Sequence, residues 1–255
     1  MPFIRIIAGS EISRCGGMVD AEDSKSSLGN KVLVRVQSSV MFDSYFSKKK
    51  LVCFDFDGLL IDTEPLHHLA YTDVLNDLNF PLPLTFDDYC GIAHSKNRNL
   101  FAETVKAKHP QFTMPWETLR AHKTNRYREL LNIGLIKSME GAEALVKKLH
   151  DHGIKTCIVT NSYRSDLELI AKTLPFIHEI PLILAREDYP LPKPSPDGYL
   201  KALHHYQIKA YDAIGLEDSE KGMDALKAAC IPALLINKTS EITSLTALMS
   251  DKTMK

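Results

Sequence analysis

Asp55 and Asp57 flank one phenylalanine in the run Phe54-Asp55-Phe56-Asp57-Gly58-Leu59-Leu60-Ile61-Asp62-Thr63-Glu64. At i and i+2 of an extended segment, both carboxylates point to the same side. Two carboxylates that close repel each other unless a cation sits between them or one is protonated. The pair therefore suits a Mg2+ site with a carboxylate nucleophile and a neighbouring acid/base. Gly58 lets the backbone turn sharply and approach a ligand. A calcium-loop reading fails, because that loop needs a glycine at its sixth position and carboxylates at its first, third and fifth.

Three further clusters carry compatible chemistry. Thr160-Asn161-Ser162 follow an apolar run ending at Val159, where hydroxyls and backbone N–H groups can hold phosphate oxygens. The same residue types are ordinary in loops, so this cluster is weak alone. Lys193 lies among prolines in Pro190-Leu191-Pro192-Lys193-Pro194-Ser195-Pro196, a stiffened loop around one cation. In isolation, a solvated surface lysine is an equal reading. Glu217 and Asp218 follow another apolar run, and a carboxylate pair there can complete a hard cation's oxygen shell. Gly222 allows close packing where the next helix starts.

Regular elements must bring these clusters together. Residues 51–54, 155–160, 181–185, 213–216 and 233–236 are short runs apolar on both faces, as buried parallel strands require. Helical patterns separate them at 140–150, 166–174, from Ser195-Pro196 (a capping serine before a first-turn proline) towards His205, and 219–230. Such alternation predicts an α/β fold, a Rossmann-like, doubly wound parallel sheet whose ligands bind beyond the carboxyl ends of the strands. Residues 66–135 break it with helical patterns at 66–78, 85–90, 96–109 and 115–131. They read as an inserted all-helical cap domain, or else as extra packing helices. The predicted organisation is an N-terminal extension over 1–47, a core over 48–65 and 136–255, and a cap over 66–135.

In this order, each at a strand end, the four motifs resemble the haloacid dehalogenase superfamily, from about Lys48 to Asn237. The first motif and the helical insertion are most similar to its sugar-phosphate phosphatases, phosphoglycolate phosphatases and β-phosphoglucomutases. The resemblance implies that Asp55 is the nucleophile that becomes an aspartyl-phosphate. It makes Asp57 general acid and then base, giving Mg2+ its backbone carbonyl. Thr160 and Asn161, with Ser162 beside them, would bind the transferred phosphoryl group, and Lys193 would neutralise it against Asp55. Asp218 would ligate Mg2+, with Glu217 doing so directly or through another group. His67 matches a position often occupied by histidine in this subgroup, as a substrate or hinge residue, although a helix-surface histidine is commoner. His94, Lys96 and Arg98 fall where the family's cap reaches the site, with a solvated face as the equal alternative. Trp116 and Tyr127 read as cap core.

These motifs imply a Mg2+-dependent phosphatase of small phosphomonoesters, such as sugar phosphates. The alternative is a β-phosphoglucomutase-like isomerase, which would use the same core. No counterpart of the mutase cap lysine stands at Tyr127, between Arg126 and Arg128, which weakens that alternative. A dehalogenase would have no use for Asp57 and the metal carboxylates, and a non-catalytic binding module would be expected to lose a motif member. A small phosphorylated metabolite is the only partner implied, and the chain reads as a monomer.

Composition agrees. The 255 residues are 44% hydrophobic and 25% charged, with 12 Gly and 13 Pro, which excludes collagen-like or wholly disordered chains. A formal net charge of -1 offers no general reason to bind nucleic acid or anionic membrane. No apolar run reaches the roughly 18–20 residues of a membrane helix. Five scattered cysteines, an odd number, fit a reduced, cytoplasmic compartment. The first forty residues show no sustained period beyond 32–36, and read as a disordered or non-native leader. Val34-Arg35-Val36-Gln37 can be encoded by a string resembling a tRNA T-loop, which would make Met41 the start of the native protein.

Overall fold

The computed structural model describes residues 4–6, 33–34, 41–93, 95, 97 and 99–236. In chain order the strands are β1 (Ile4–Ile6), β2 (Leu33–Val34), β3 (Leu51–Phe54), β4 (Lys155–Val159), β5 (Leu182–Leu184), β6 (Ala213–Glu217) and β7 (Ala233–Leu235). The helices are α1 (Met41–Phe46), α2 (Glu64–Asp77), α3 (Phe86–Ala93), α4 (Leu100–Lys108), α5 (Trp116–Asn132), α6 (Ala142–Asp151), α7 (Arg164–Thr173), α8 (Asp197–Tyr206) and α9 (Glu220–Ala228). The chain divides into two compact units. The first takes Met1–Leu60, Ser138–Arg164 and Phe176–Lys255, and the second takes Ile61–Lys137 and Ser165–Pro175.

The first unit is built on one sheet in the order β2-β1-β7-β6-β3-β4-β5. Strands β3 to β7 are parallel, with Cys53 opposite Cys157 on one side and Gly215 on the other. Every residue of β3 is buried, as a central parallel strand requires. Alternation sorts its side chains. Leu51, Cys53, Cys157 and Val159 pack with Tyr199 and Leu203 of α8 and Met223 and Leu226 of α9. On the opposite face His150 of α6 sits 2.7 Å from Thr156 Oγ1 of β4. The chain fills β4 and β5 on one side of β3, then β6 and β7 on the other. That reversal puts the topological switch point between β3 and β6.

The structure departs from expectation in the N-terminal extension. Strand β1 pairs antiparallel with both β7 and β2, and α1 buries Phe42 and Phe46. Thus part of 1–47 belongs to the first unit. Strand β2 falls within the alternating piece at 32–36, whereas β1 is too short to show a period and is defined by its pairing. A second departure is local. Helix α8 starts at Asp197 without a side-chain cap, and the predicted capping residue Ser195 instead donates to Asp197 Oδ1 at 2.6 Å. Ser219 does cap α9, its Oγ accepting from Gly222 N at 3.1 Å. The sequence over 242–249, whose spacing reads as a closing amphipathic helix, lies outside the described residues.

The second unit is helical. Val74, Leu75, Tyr89, Phe101, Val105 and Leu119 form its core, with Trp116 packed against it. Trp116 also stacks on Tyr71, with ring centroids 6.1 Å apart. The unit extends beyond the expected 66–135 to include 165–175. An ion pair of 2.6 Å between Arg128 Nε and Asp166 Oδ1 joins α5 to α7. No helix among the described residues is long and apolar enough to cross a membrane.

Candidate active site

The carboxyl ends of β3 and β6 lie side by side, so Asp55, just after β3, meets Glu217 and Asp218 at the end of β6. Carboxylate oxygens of these three lie within 4.8 Å of one another. Lys193 reaches between them. Its Nζ donates to Asp55 Oδ1 at 2.5 Å and to Glu217 Oε1 at 2.6 Å. Asp55, Lys193 and Glu217 are 7%, 6% and 0% exposed, so these charges act on each other in a low-dielectric setting. Burial alone would lower the lysine's pKa, but Asp55 and Glu217 hold it well above the usual value. The ammonium is therefore permanent. Burial and then the Glu217 charge push Asp55 well up, against the pull of Lys193. A bound cation would relieve that stress.

Two glycines make room for the acids. A Cβ on Gly58, where φ is +80°, would lie 2.1 Å from Asp218 Oδ2. One on Gly222 would lie 1.6 Å from Glu217 Oε1. Glu217 is densely held. Its Oε1 takes Lys193 and, at 3.4 Å, the Tyr199 hydroxyl, while Oε2 accepts from Ser219 N at 2.9 Å and Ser219 Oγ at 2.8 Å. An all-oxygen cluster with this surplus of negative charge fits Mg2+. Asp55, Glu217 and Asp218 are the acids that could hold it, and donors already sit on both oxygens of Glu217.

Asp57 is gripped from the β4 end. Ser162 Oγ donates to its Oδ2 at 2.5 Å and Thr160 Oγ1 to the same atom at 3.2 Å. Ser162 N donates to Thr160 Oγ1 at 3.0 Å. Asn161 turns its side chain to the Lys193 loop, where Oδ1 accepts from Lys193 N at 2.9 Å and Nδ2 donates to Lys193 O at 3.4 Å. Tyr189 donates to Thr160 O and to Asn161 Oδ1. The structure thus brings Asp55, Asp57, Thr160, Asn161, Ser162, Lys193, Glu217 and Asp218 into the first unit. His67 belongs to the second, while His94, Lys96 and Arg98 lie outside the described residues.

Sequence reasoning missed Tyr189 and Tyr199 and gave Ser219, at the end of the fourth motif, no role, yet the side chains of all three hold the motif residues. It also missed a lysine in the second unit. Lys123, one helical turn before Tyr127 on α5, donates to His67 Nδ1 at 2.7 Å. Burial first, and then the Lys123 charge, push the His67 pKa well down, so its ring is neutral and Nδ1 can accept. His67 also packs on Tyr127, with centroids 4.1 Å apart. The signal available was i, i+4 spacing on α5, which puts residues 123 and 127 on one face.

The family model for haloacid dehalogenase-like hydrolases matches residues 52–236. The chain belongs to this family and is an enzyme of it. Protein CbbY of Rhodobacter capsulatus is 27% identical over 195 residues, 73% of this chain and 84% of that protein. A probable pseudouridine-5'-phosphatase of Drosophila melanogaster is 27% identical over 242 residues, 88% and 94% of the two chains. Among solved structures, a HAD hydrolase of family IA, variant 3, from Entamoeba histolytica matches with a TM-score of 0.59 at 26% identity, covering 76% of this chain and 86% of that one.

Proposed function

We propose that the protein is a Mg2+-dependent, cytoplasmic phosphatase of small phosphomonoesters that works through a phosphorylated Asp55. The observation that carries this reading is the buried Lys193 ammonium bound to both Asp55 and Glu217. A cation held there can neutralise a phosphoryl group while the carboxylate beside it attacks. In the first step an Asp55 oxygen bonds to phosphorus, the ester P–O bond breaks, and the leaving oxygen takes the proton of Asp57. In the second, Asp57 takes a proton from water, whose oxygen attacks phosphorus. The bond to Asp55 then breaks and inorganic phosphate leaves. Thr160 and Ser162 orient the Asp57 carboxylate through both steps. Mg2+, held by Asp55, Asp218 and the Asp57 carbonyl, would supply charge neutralisation at the phosphoryl oxygens.

The test is phosphate release from a panel of sugar and nucleoside phosphates, including pseudouridine 5'-phosphate, with and without Mg2+. Steady release that requires Mg2+ and no bisphosphate activator is expected. Lys123, hydrogen-bonded to His67, supports a second reading as a β-phosphoglucomutase-like isomerase, since a cap lysine is present after all. Conversion of β-glucose 1-phosphate to glucose 6-phosphate, with phosphate release slower by about a hundredfold or more, would decide for the isomerase.

A further inference from the structure

We propose that Tyr199 is a positioning residue that seats the Lys193 ammonium against Asp55. This rests on the phosphatase reading for the role of Lys193. Tyr199 lies in the first turn of α8, six residues past the lysine, and is fully buried. Lys193 Nζ stands 5.1 Å from the centre of its ring, and its hydroxyl lies 3.4 Å from Glu217 Oε1, an oxygen that also takes Lys193. The lysine is therefore held by two carboxylates and faced by one aromatic ring.

Lysine is a point charge on a flexible stem and needs such a seat to hold one position. A ring facing a desolvated ammonium attracts it through its quadrupole, more strongly than in water. The hydroxyl adds to this, as an electrostatic partner of the lysine and a donor to Glu217. At 3.4 Å it is a weak donor, but it joins the three other donors on Glu217 and keeps that carboxylate turned towards the lysine. The ring is thus the larger contributor and the hydroxyl the smaller.

Tyr199→Phe and Tyr199→Leu, each alone and in a Lys193→Met background, test this. The readouts are kcat on a phosphomonoester, the Kd of orthovanadate with Mg2+, the Kd of Mg2+ alone, and Tm. Tyr199→Leu should lower kcat and vanadate affinity by about tenfold or more, with KM and Mg2+ affinity within about twofold. Tyr199→Phe, keeping the ring, should restore vanadate affinity to within about threefold of the unaltered protein. Neither should change vanadate affinity further in the Lys193→Met background, because a residue acting through the lysine has nothing left to act on. Equal losses in both backgrounds, or no loss in either, overturn the proposal. If Tyr199→Leu does not fold, the two- to threefold effect of Tyr199→Phe on vanadate affinity, present with Lys193 and absent without it, makes the same decision. An unaltered protein that binds vanadate through Lys193 yet releases no phosphate overturns the phosphatase reading while leaving the seat intact. One that binds no vanadate overturns both.

Discussion

Asp55 and Asp57 are two residues apart, yet the structure gives them different neighbours. Asp55 is buried against Lys193, Glu217 and Asp218. Asp57 is held by the hydroxyls of Thr160 and Ser162. Asp55→Asn removes the attacking charge in a nearly isosteric way. Phosphate release should fall by orders of magnitude while the fold survives, and near-normal turnover would remove Asp55 as nucleophile. In Asp57→Asn the loss should be about 10²–10⁴-fold, the usual range for general acid–base catalysis. Its Mg2+ requirement should stay put, because the expected ligand is the backbone carbonyl. A large rise in the Mg2+ needed for half-maximal rate would show that the carboxylate itself ligates.

At the scale of elements, the join between β6 and α9 carries most of the constraint. Ser219 caps the helix and bonds Glu217, and Gly222 in the first turn leaves the space that Glu217 fills. Alanine in an exposed helix would be favoured over glycine by about 1 kcal/mol. Here the added Cβ would meet Glu217 Oε1 at 1.6 Å. The overlap should win, with a cost of about 1–3 kcal/mol from overpacking. Gly222→Ala should therefore lower Tm in thermal denaturation and reduce phosphate release together, since moving Glu217 also disturbs Lys193. A stabilised variant would mean that α9 shifts to make room without effect on the site.

Two outcomes belong to the whole molecule. Carboxylate oxygens of Asp55, Glu217 and Asp218 lie within 4.8 Å of one another, with Lys193 paired to Asp55 and Glu217, so the folded protein concentrates negative charge that the unfolded chain disperses. Mg2+ binding only the folded state should raise Tm with concentration. The effect should vanish in Asp218→Ala, and calorimetry needs no substrate to detect it. The second outcome concerns the N-terminal segment. A chain starting at Met41 loses β1 and β2 but keeps Phe42 and Phe46, both buried. It should turn over normally, because the site stands on β3 and β6, away from the edge strands. Starting at Lys48 should cost several kcal/mol more, since burial of two phenylalanines is lost and large-to-small core changes already cost about 3–5 kcal/mol each.

The parallel core and the four motifs were legible in the sequence because they rest on local pattern. Runs apolar on both faces mark buried strands, and charged residues just after them stand where α/β sheets bind ligands. Asp55, Asp57, Lys193, Glu217 and Asp218 were ambiguous one by one. Their order along the chain, each at a strand end, and its resemblance to the haloacid dehalogenase superfamily singled them out. Tyr199 and Lys123 could not be read that way. Tyr199 looks like any apolar residue of a helix, and its hydroxyl finds Glu217 only because α8 packs on the sheet in one register. Lys123 looks like a surface charge until α2 and α5 bring His67 to it. Strands β1 and β2, of three and two residues, are too short for pattern to settle, and only the pairing of β1 with β7 and of β2 with β1 defines them. Local spacing thus determined which groups could do the chemistry. Tertiary packing decided which partners hold them, because hydrogen bonds and ion pairs depend on distances between residues far apart in the chain.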